Sequence, residues 1–325
     1  MTRQIFFDDI GSFPLPKGTC LNKLPQDLYL ALVKEAFSQK IAAGVEVPTY
    51  PQFRDMIRMF MDLIERPELS ESPYLIKKEN AEILELKALP SEKKTRVCVT
   101  GPIELYISAF GATNYTDILN NLAKSVARFL ERSMEQNNVA VASLDEPSLG
   151  ISSNVIFDEG DILKALESAS EPCKNKNVDC EIHLHSPLYA ESACAVPGIN
   201  IVGIESAAHP DYLRLIDRRL LLDTDTYLRA GIARTDILSM AAGINDRLHI
   251  NIWDDPAMLE REIMEMESVR TIEGRLRYAH SLFGDRLLAV GPDCGLGSWP
   301  TRTMACRLLS NCAVALKSFR GKSHA

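Results

Sequence analysis

The 325-residue chain reads as one (β/α)₈ barrel spanning residues 1–325, with an insertion after its second βα unit. Three observations predict this. Eight short apolar, strand-like segments alternate for the most part with segments of helical period, which implies parallel strands joined by crossover helices. The polar motifs fall at the C-terminal ends of those strands, where barrel enzymes place their sites. No GxGxxG follows the first strand, which disfavours the rival doubly wound open sheet.

Taken in order, residues 5–13 form an apolar first strand that ends in Ile10-Gly11-Ser12-Phe13-Pro14. Residues 26–43 are helical, with Leu28, Leu32 and Ala36 at helical spacing and Gly44 as a stop. Residues 45–47 are a short second strand, and 52–65 a helix with Met56, Met59, Phe60 and Leu63 on one side. Residues 66–94, rich in Pro and Glu, are an excursion built from a hairpin or helix. The third strand covers 96–100 and runs into Gly101-Pro102.

A helix over 115–134 leads to the fourth strand at 139–144, which ends in Asp145-Glu146-Pro147. After a helix at 158–170, residues 178–185 alternate: Val178, Cys180, Ile182 and Leu184 are apolar, while Asp179, Glu181, His183 and His185 are polar. Alternate residues of a strand share a face, so the apolar set meets the helices and the polar set points into the barrel. The sixth, seventh and eighth strands follow at 199–205, 228–233 and 286–290. One or two helices lie between 256 and 283, and Pro300 opens a last helix that runs to residue 316.

Composition excludes several function classes. A net charge of −8 and a pI near 5.4 argue against a nucleic-acid or anionic-membrane surface. The N-terminus lacks a signal-peptide stretch, and no apolar run approaches the roughly 20 residues of a membrane helix. The expectation is a cytoplasmic protein. Eight scattered cysteines form no CxxC pair, so zinc-ribbon, thioredoxin and disulfide-framework readings are poor.

Three strand ends carry donor groups: Ile182-His183-Leu184-His185-Ser186-Pro187, Gly203-Ile204-Glu205, and Gly291-Pro292-Asp293-Cys294-Gly295. Imidazole, carboxylate and thiolate together suit zinc. Singly, each has a plainer reading, as a hydrogen-bonded core histidine, a salt-bridged carboxylate or a turn cysteine. Glu205 closes an almost wholly apolar strand, where an unpaired carboxylate costs several kcal/mol and needs a partner or a cation. Asp145 and Glu146 point to opposite faces, and Asp145 is assigned to the barrel mouth. Glu46 ends the second strand in the same way. Two carboxylates suit an ammonium group, and the amides of Ile10, Gly11 and Ser12 suit a carboxylate. An α-amino acid carries both charges.

The segments Ile10-Gly11-Ser12-Phe13-Pro14, Thr100-Gly101-Pro102, Asp145-Glu146-Pro147, Ile182-His183-Leu184-His185 and Pro292-Asp293-Cys294-Gly295-Leu296 resemble the catalytic half of cobalamin-independent methionine synthase. The stand-alone core versions of archaea and anaerobic bacteria are the nearest in kind. The likeness runs in order from about residue 10 to about residue 313. It implies a (β/α)₈ barrel that methylates the zinc-bound thiolate of homocysteine. His185, Glu205 and Cys294 are then zinc ligands, with Ile10, Gly11, Ser12, Glu46 and Asp145 around the amino acid.

Two departures matter. The family has His-x-Cys at its first metal motif, whereas here Pro187 follows His185-Ser186 and cannot ligate; Cys194 replaces that thiolate only if its loop folds back. Leu238, Ser108 and Ile151 stand where folate-using members have a histidine, an aromatic residue and a carboxylate. The expected donor is therefore methylcobalamin or another methylcorrinoid, free or on a corrinoid protein. The acceptor is homocysteine or another small thiol such as coenzyme M. The remaining alternative is a metal-free accessory barrel that binds a corrinoid protein.

Overall fold

In the computed structural model, which describes residues 3–322, seven parallel strands curl into a barrel-like sheet with helices packed outside. The strands are β1 (Phe6–Phe7), β4 (Thr95–Thr100), β5 (Val139–Asp145), β6 (Asp179–Leu184), β7 (Ile201–Ile204), β8 (Tyr227–Ala233) and β9 (Leu287–Pro292). Their order is β1-β9-β8-β7-β6-β5-β4. The short antiparallel hairpin of β2 (Ser70–Ser72) and β3 (Leu75–Ile76) lies in the 66–94 excursion. Residues 1–2 and 323–325, at the limits of the expected 1–325 domain, lie outside the described residues.

The eighth staves of the barrel are reduced to isolated bridges. Val47 pairs with Asp8 and Gln52 with Ser12 on one side, and Thr49 pairs with Arg96 on the other, so residues 47–52 join both edges of the sheet. The second strand expected at 45–47 does not form a ladder for a local reason. Pro48 and Pro51 have no N–H to donate, and the Thr49 N–H is taken by the Asp9 side chain at 2.9 Å. The first strand, expected over 5–13, shortens to Phe6–Phe7 with bridges beyond it.

The helices are α1 (Gln26–Ala42), α2 (Arg58–Ile64), α3 (Pro102–Phe110), α4 (Thr116–Gln136), α5 (Glu159–Lys176), α6 (Ala190–Cys194), α7 (Arg218–Asp223), α8 (Ile237–Leu248), α9 (Pro256–Met266), α10 (Val269–Phe283) and α11 (Arg302–Lys322). Helix α2 starts six residues later than the periodicity of 52–65 implies. Gln52 is held in the barrel by its N–H to Gly11 O, and Asp55 accepts from the N–H groups of Ile57 and Arg58, which sets the start. Helix α3 was not expected. Pro102 occupies its first turn, and the buried Glu146 accepts from the Ile103 and Glu104 N–H groups at 3.0 and 2.8 Å. Helix α5 continues past residue 170 through Pro172 and ends at Asn177, which takes the left-handed conformation. No described helix is long and apolar enough to cross a membrane.

The barrel interior is charged rather than oily. Arg96 of β4 and Arg229 of β8 are fully buried among Asp8, Glu181 and Ser143. Arg96 reaches Asp8 at 2.7 Å, Glu181 at 2.9 Å and Ser143 at 2.8 Å, while Arg229 reaches Asp8 at 2.8 Å. Gly203 and Gly291 make room for this layer. A Cβ on Gly203 would stand 2.2 Å from a Glu181 oxygen, and one on Gly291 2.6 Å from an Arg229 nitrogen. The alternation read from β6 holds: Cys180, Ile182 and Leu184 join the apolar packing between sheet and helices, and Glu181 lies in the interior layer.

Candidate metal centre

The donor groups sit one step above this charged layer. His183 is the inward residue next after Glu181 on β6, in register with Asp145 of β5 and Gly203 of β7. His185 follows the end of β6, Glu205 follows the end of β7, and Cys294 lies two residues beyond β9. Parallel pairing sends all three chain ends to the same mouth.

There the side chains converge. Cys294 Sγ lies 3.7 Å from His185 Nε2, and His185 Nε2 lies 3.3 Å from Glu205 Oε1. Ligand atoms of His183, His185, Glu205 and Cys294 all fall within 4.8 Å of one another. In a tetrahedral zinc site with bonds of 2.0–2.3 Å, neighbouring ligand atoms stand about 3.3–3.8 Å apart. The two measured separations lie in that range. The set also fits an ion because it contains an orphaned group: both ring nitrogens of His183 are buried and lack a hydrogen-bond partner.

Burial governs the protonation of the cluster. It pushes the Glu205 carboxyl up to about 8, with the Asp293 charge adding to the shift. It also carries the Cys294 thiol well above the ordinary range, helped by Glu205. His183 is pushed well below the usual imidazole value by burial and then by His185, and His185 is lowered by burial. Burial thus favours the uncharged form of all four groups when no ion is bound. It also makes the 3.3 Å approach of His185 to Glu205 a poor ion pair.

Asp293 holds two of the loops together. Its oxygens accept from the Ala207 and Ala208 N–H groups, both at 2.8 Å, and its own N–H donates to Ala233 O at 2.8 Å. The Glu205 and Cys294 loops are thereby pinned to each other. Burial raises Asp293 to about 6 against those two amides. Gly231 leaves the space: a Cβ there would stand 1.8 Å from an Asp293 oxygen. The sequence motif contained Asp293, but only the fold reveals its partners.

The other expected site residues divide. Asp145 is buried at the end of β5 and accepts from Ser143 Oγ at 2.7 Å. Burial raises its carboxyl while Arg96 opposes the shift, and its charge acts on the Cys294 thiol. Residues 10–12 run against the Cys294 loop, with Leu296 N–H donating to Ser12 O at 2.8 Å and Gly297 N–H to Ser12 Oγ at 3.1 Å. The Gly11 N–H is directed at the Cys98 thiol, so that amide is already engaged.

Glu46 is not brought to the mouth. It is held by Arg320 of α11 at 2.6 and 2.9 Å and by the Phe7 N–H at 2.9 Å, facing the outer helical layer. A guanidinium on a neighbouring helix claims it, and sequence alone shows no such partner. Cys194 does not fold back either. It is buried on α6 beside the hydroxyls of Thr224 and Thr226, at the opposite end of the barrel from the cluster. His183 was legible only through alternation, which placed it on the same face as His185.

No family model matches the chain, and no curated protein matches it. Solved structures do. One described as a B12-independent methionine synthase from Shewanella sp. W3-18-1 in complex with selenomethionine is similar over 98% of each chain, with a TM-score of 0.67 at 13% identity. Another, described as GH5_18 from Streptomyces cattleya in complex with GlcNAc, is similar over 98% of this chain and 81% of that one, with a TM-score of 0.58 at 9% identity. At such identities the likeness is one of architecture, and it agrees with the barrel described above: the chain has an α/β (β/α)₈-type fold.

Proposed function

We propose that the chain is a zinc-dependent methyltransferase of the cobalamin-independent methionine synthase kind, moving a methyl group from a methylcorrinoid to the thiol of homocysteine. The observation that carries the reading is the meeting of His185, Glu205 and Cys294, from three distant strand ends, around one point. Bound there, zinc would supply a Lewis acid that lowers the pKa of an incoming thiol. Glu205 and Cys294 would give up their protons to hold it. Asp145, buried beside the cluster, takes the substrate ammonium, and the backbone amides of Ile10 and Ser12, with Gly11 turned to Cys98, take its carboxylate.

The choice of donor follows from what the mouth lacks. Leu238 is exposed and has no proton to give a leaving group. A corrinoid needs none: the new S–C bond forms as the Co–C bond breaks, and both electrons stay on cobalt. Ile151, Leu188 and Leu238 stand 61%, 71% and 70% exposed in the segments that follow β5, β6 and β8, Leu238 in the first turn of α8. Exposed apolar side chains around a strand-end site fit a broad donor, such as a corrin ring carried on a protein.

One observation favours a second acceptor. With Glu46 held by Arg320, only Asp145 remains of the two carboxylates expected to take an ammonium, so a thiol without one, such as coenzyme M, is the alternative substrate. The deciding experiment incubates zinc-loaded protein with methylcobalamin and either thiol and follows methylated product. Methionine from homocysteine is the expected result. Product from coenzyme M alone selects the alternative, and no product from either, at any donor concentration, overturns the reading.

A further inference from the structure

We propose that His183 is the fourth protein ligand of the metal and supplies the donor that Pro187 cannot. This rests on the metal reading above and adds an assignment that the strand-end motifs alone do not make.

Four observations converge on it. A ligand atom of His183 lies within 4.8 Å of those of His185, Glu205 and Cys294. The residue is 2% exposed, and neither Nδ1 nor Nε2 has a hydrogen-bond partner. A neutral imidazole has one N–H and one lone pair, and both are ordinarily satisfied when buried. Neither neighbouring carboxylate bonds it: Asp145 accepts from Ser143, and Glu181 from Arg96. Finally, the other candidate for the missing donor, Cys194, is packed at the far end of the barrel.

The alternative is that His183 is a spacer, its ring set edge-on to His185 at 5.4 Å between centroids and 74° between planes. A spacer has no need of two nitrogens. An apolar ring or side chain would fill the same space without leaving polar atoms unpaired. A lone pair directed to an ion accounts for the imidazole.

The assignment alters the chemistry. Two imidazoles, one carboxylate and one thiolate just balance a divalent ion, where a second thiolate would leave the site anionic. A neutral site draws more strongly on an incoming thiol and favours its thiolate form. His183 also lies deeper than the partly exposed His185 and Glu205, so it would hold the ion from beneath and leave the mouth side to substrate.

The test joins zinc X-ray absorption on the wild-type protein with metal affinity of His183→Ala and His183→Asn. The expected spectrum has one sulfur and three nitrogen or oxygen neighbours, with outer scattering from two imidazole rings. Both variants should bind zinc more weakly by at least about 10-fold, the lower end of the loss caused by removing even an outer partner of a metal ligand. Their cobalt-loaded forms should show shifted d–d bands. Wild-type protein with zinc but one imidazole overturns the assignment and leaves the metal reading standing, as do variants with unchanged affinity and spectra. Wild-type protein that binds no zinc overturns both. The wild-type spectrum decides even if neither variant folds.

Discussion

At the scale of single residues, the centre is defined by which protons must leave it. Glu205, pushed up to about 8, and Cys294, raised above the ordinary thiol range, are both protonated at neutral pH, while His183 and His185 are already neutral. Metal uptake at pH 7 should therefore release roughly two protons per ion, and affinity should fall as pH falls from about 8. Calorimetry in buffers of different ionisation enthalpy measures that number, and a value near zero would contradict the assignment. His185, Glu205 and Cys294 could be picked out in the sequence because each follows the C-terminal end of a strand-like segment, where barrel enzymes place their sites, although each taken singly has a plainer reading. Glu46 closes a strand in the same way, yet its partner lies 274 residues away on the last helix. No local pattern carries that information.

At the scale of elements, what could be read was whatever periodicity controls. The long helices α1, α4 and α10 and the ladders β5, β6, β8 and β9 fall where apolar spacing places them, whereas α11 starts two residues after Pro300 and runs past residue 316 to Lys322. What could not be read was set in two cases by single partners far away, α3 by the Glu146 carboxylate and the start of α2 by the pairing of Gln52, and in a third by two prolines inside the second-strand segment itself. The Glu46–Arg320 pair ties α11 to the first barrel segment. Against burial, which would raise it, Arg320 and the Phe7 N–H hold the Glu46 carboxyl below its usual value. A lowered carboxylate stabilises the fold above its unfolded pKa of about 4.3 and loses that contribution as pH falls through the folded value. Glu46→Gln should thus lower stability at pH 7 by no more than about 1 kcal/mol, since the pair is partly exposed. The difference from wild type should narrow below about pH 4.3, as urea denaturation would show. The same substitution should leave metal content unchanged, because Glu46 is outside the cluster.

At the scale of the whole molecule, the barrel depends on charges buried in pairs. Asp8, Glu181, Arg96 and Arg229 occupy the interior directly below the donor cluster, all fully buried. Such pairs give little net stability when intact but are costly to break from one side. Arg96→Met leaves Asp8 with Arg229 alone and removes the closest partner of Glu181. The expected loss is about 3–5 kcal/mol, read as a lower denaturant midpoint. Because Glu181 and His183 are successive inward residues of β6, the variant should also weaken metal binding. A variant as stable as wild type would show that the interior layer is not what holds β4 and β6 in register.

Metal stoichiometry of protein purified without chelator bears most directly on the claim that three remote strand ends share one divalent ion. The expected result is about one zinc per chain, lost on replacing Cys294 with Ala in protein that keeps its far-ultraviolet circular dichroism. Wild-type protein free of metal, even after incubation with zinc, would contradict it, as would a Cys294→Ala variant that binds zinc as tightly as wild type.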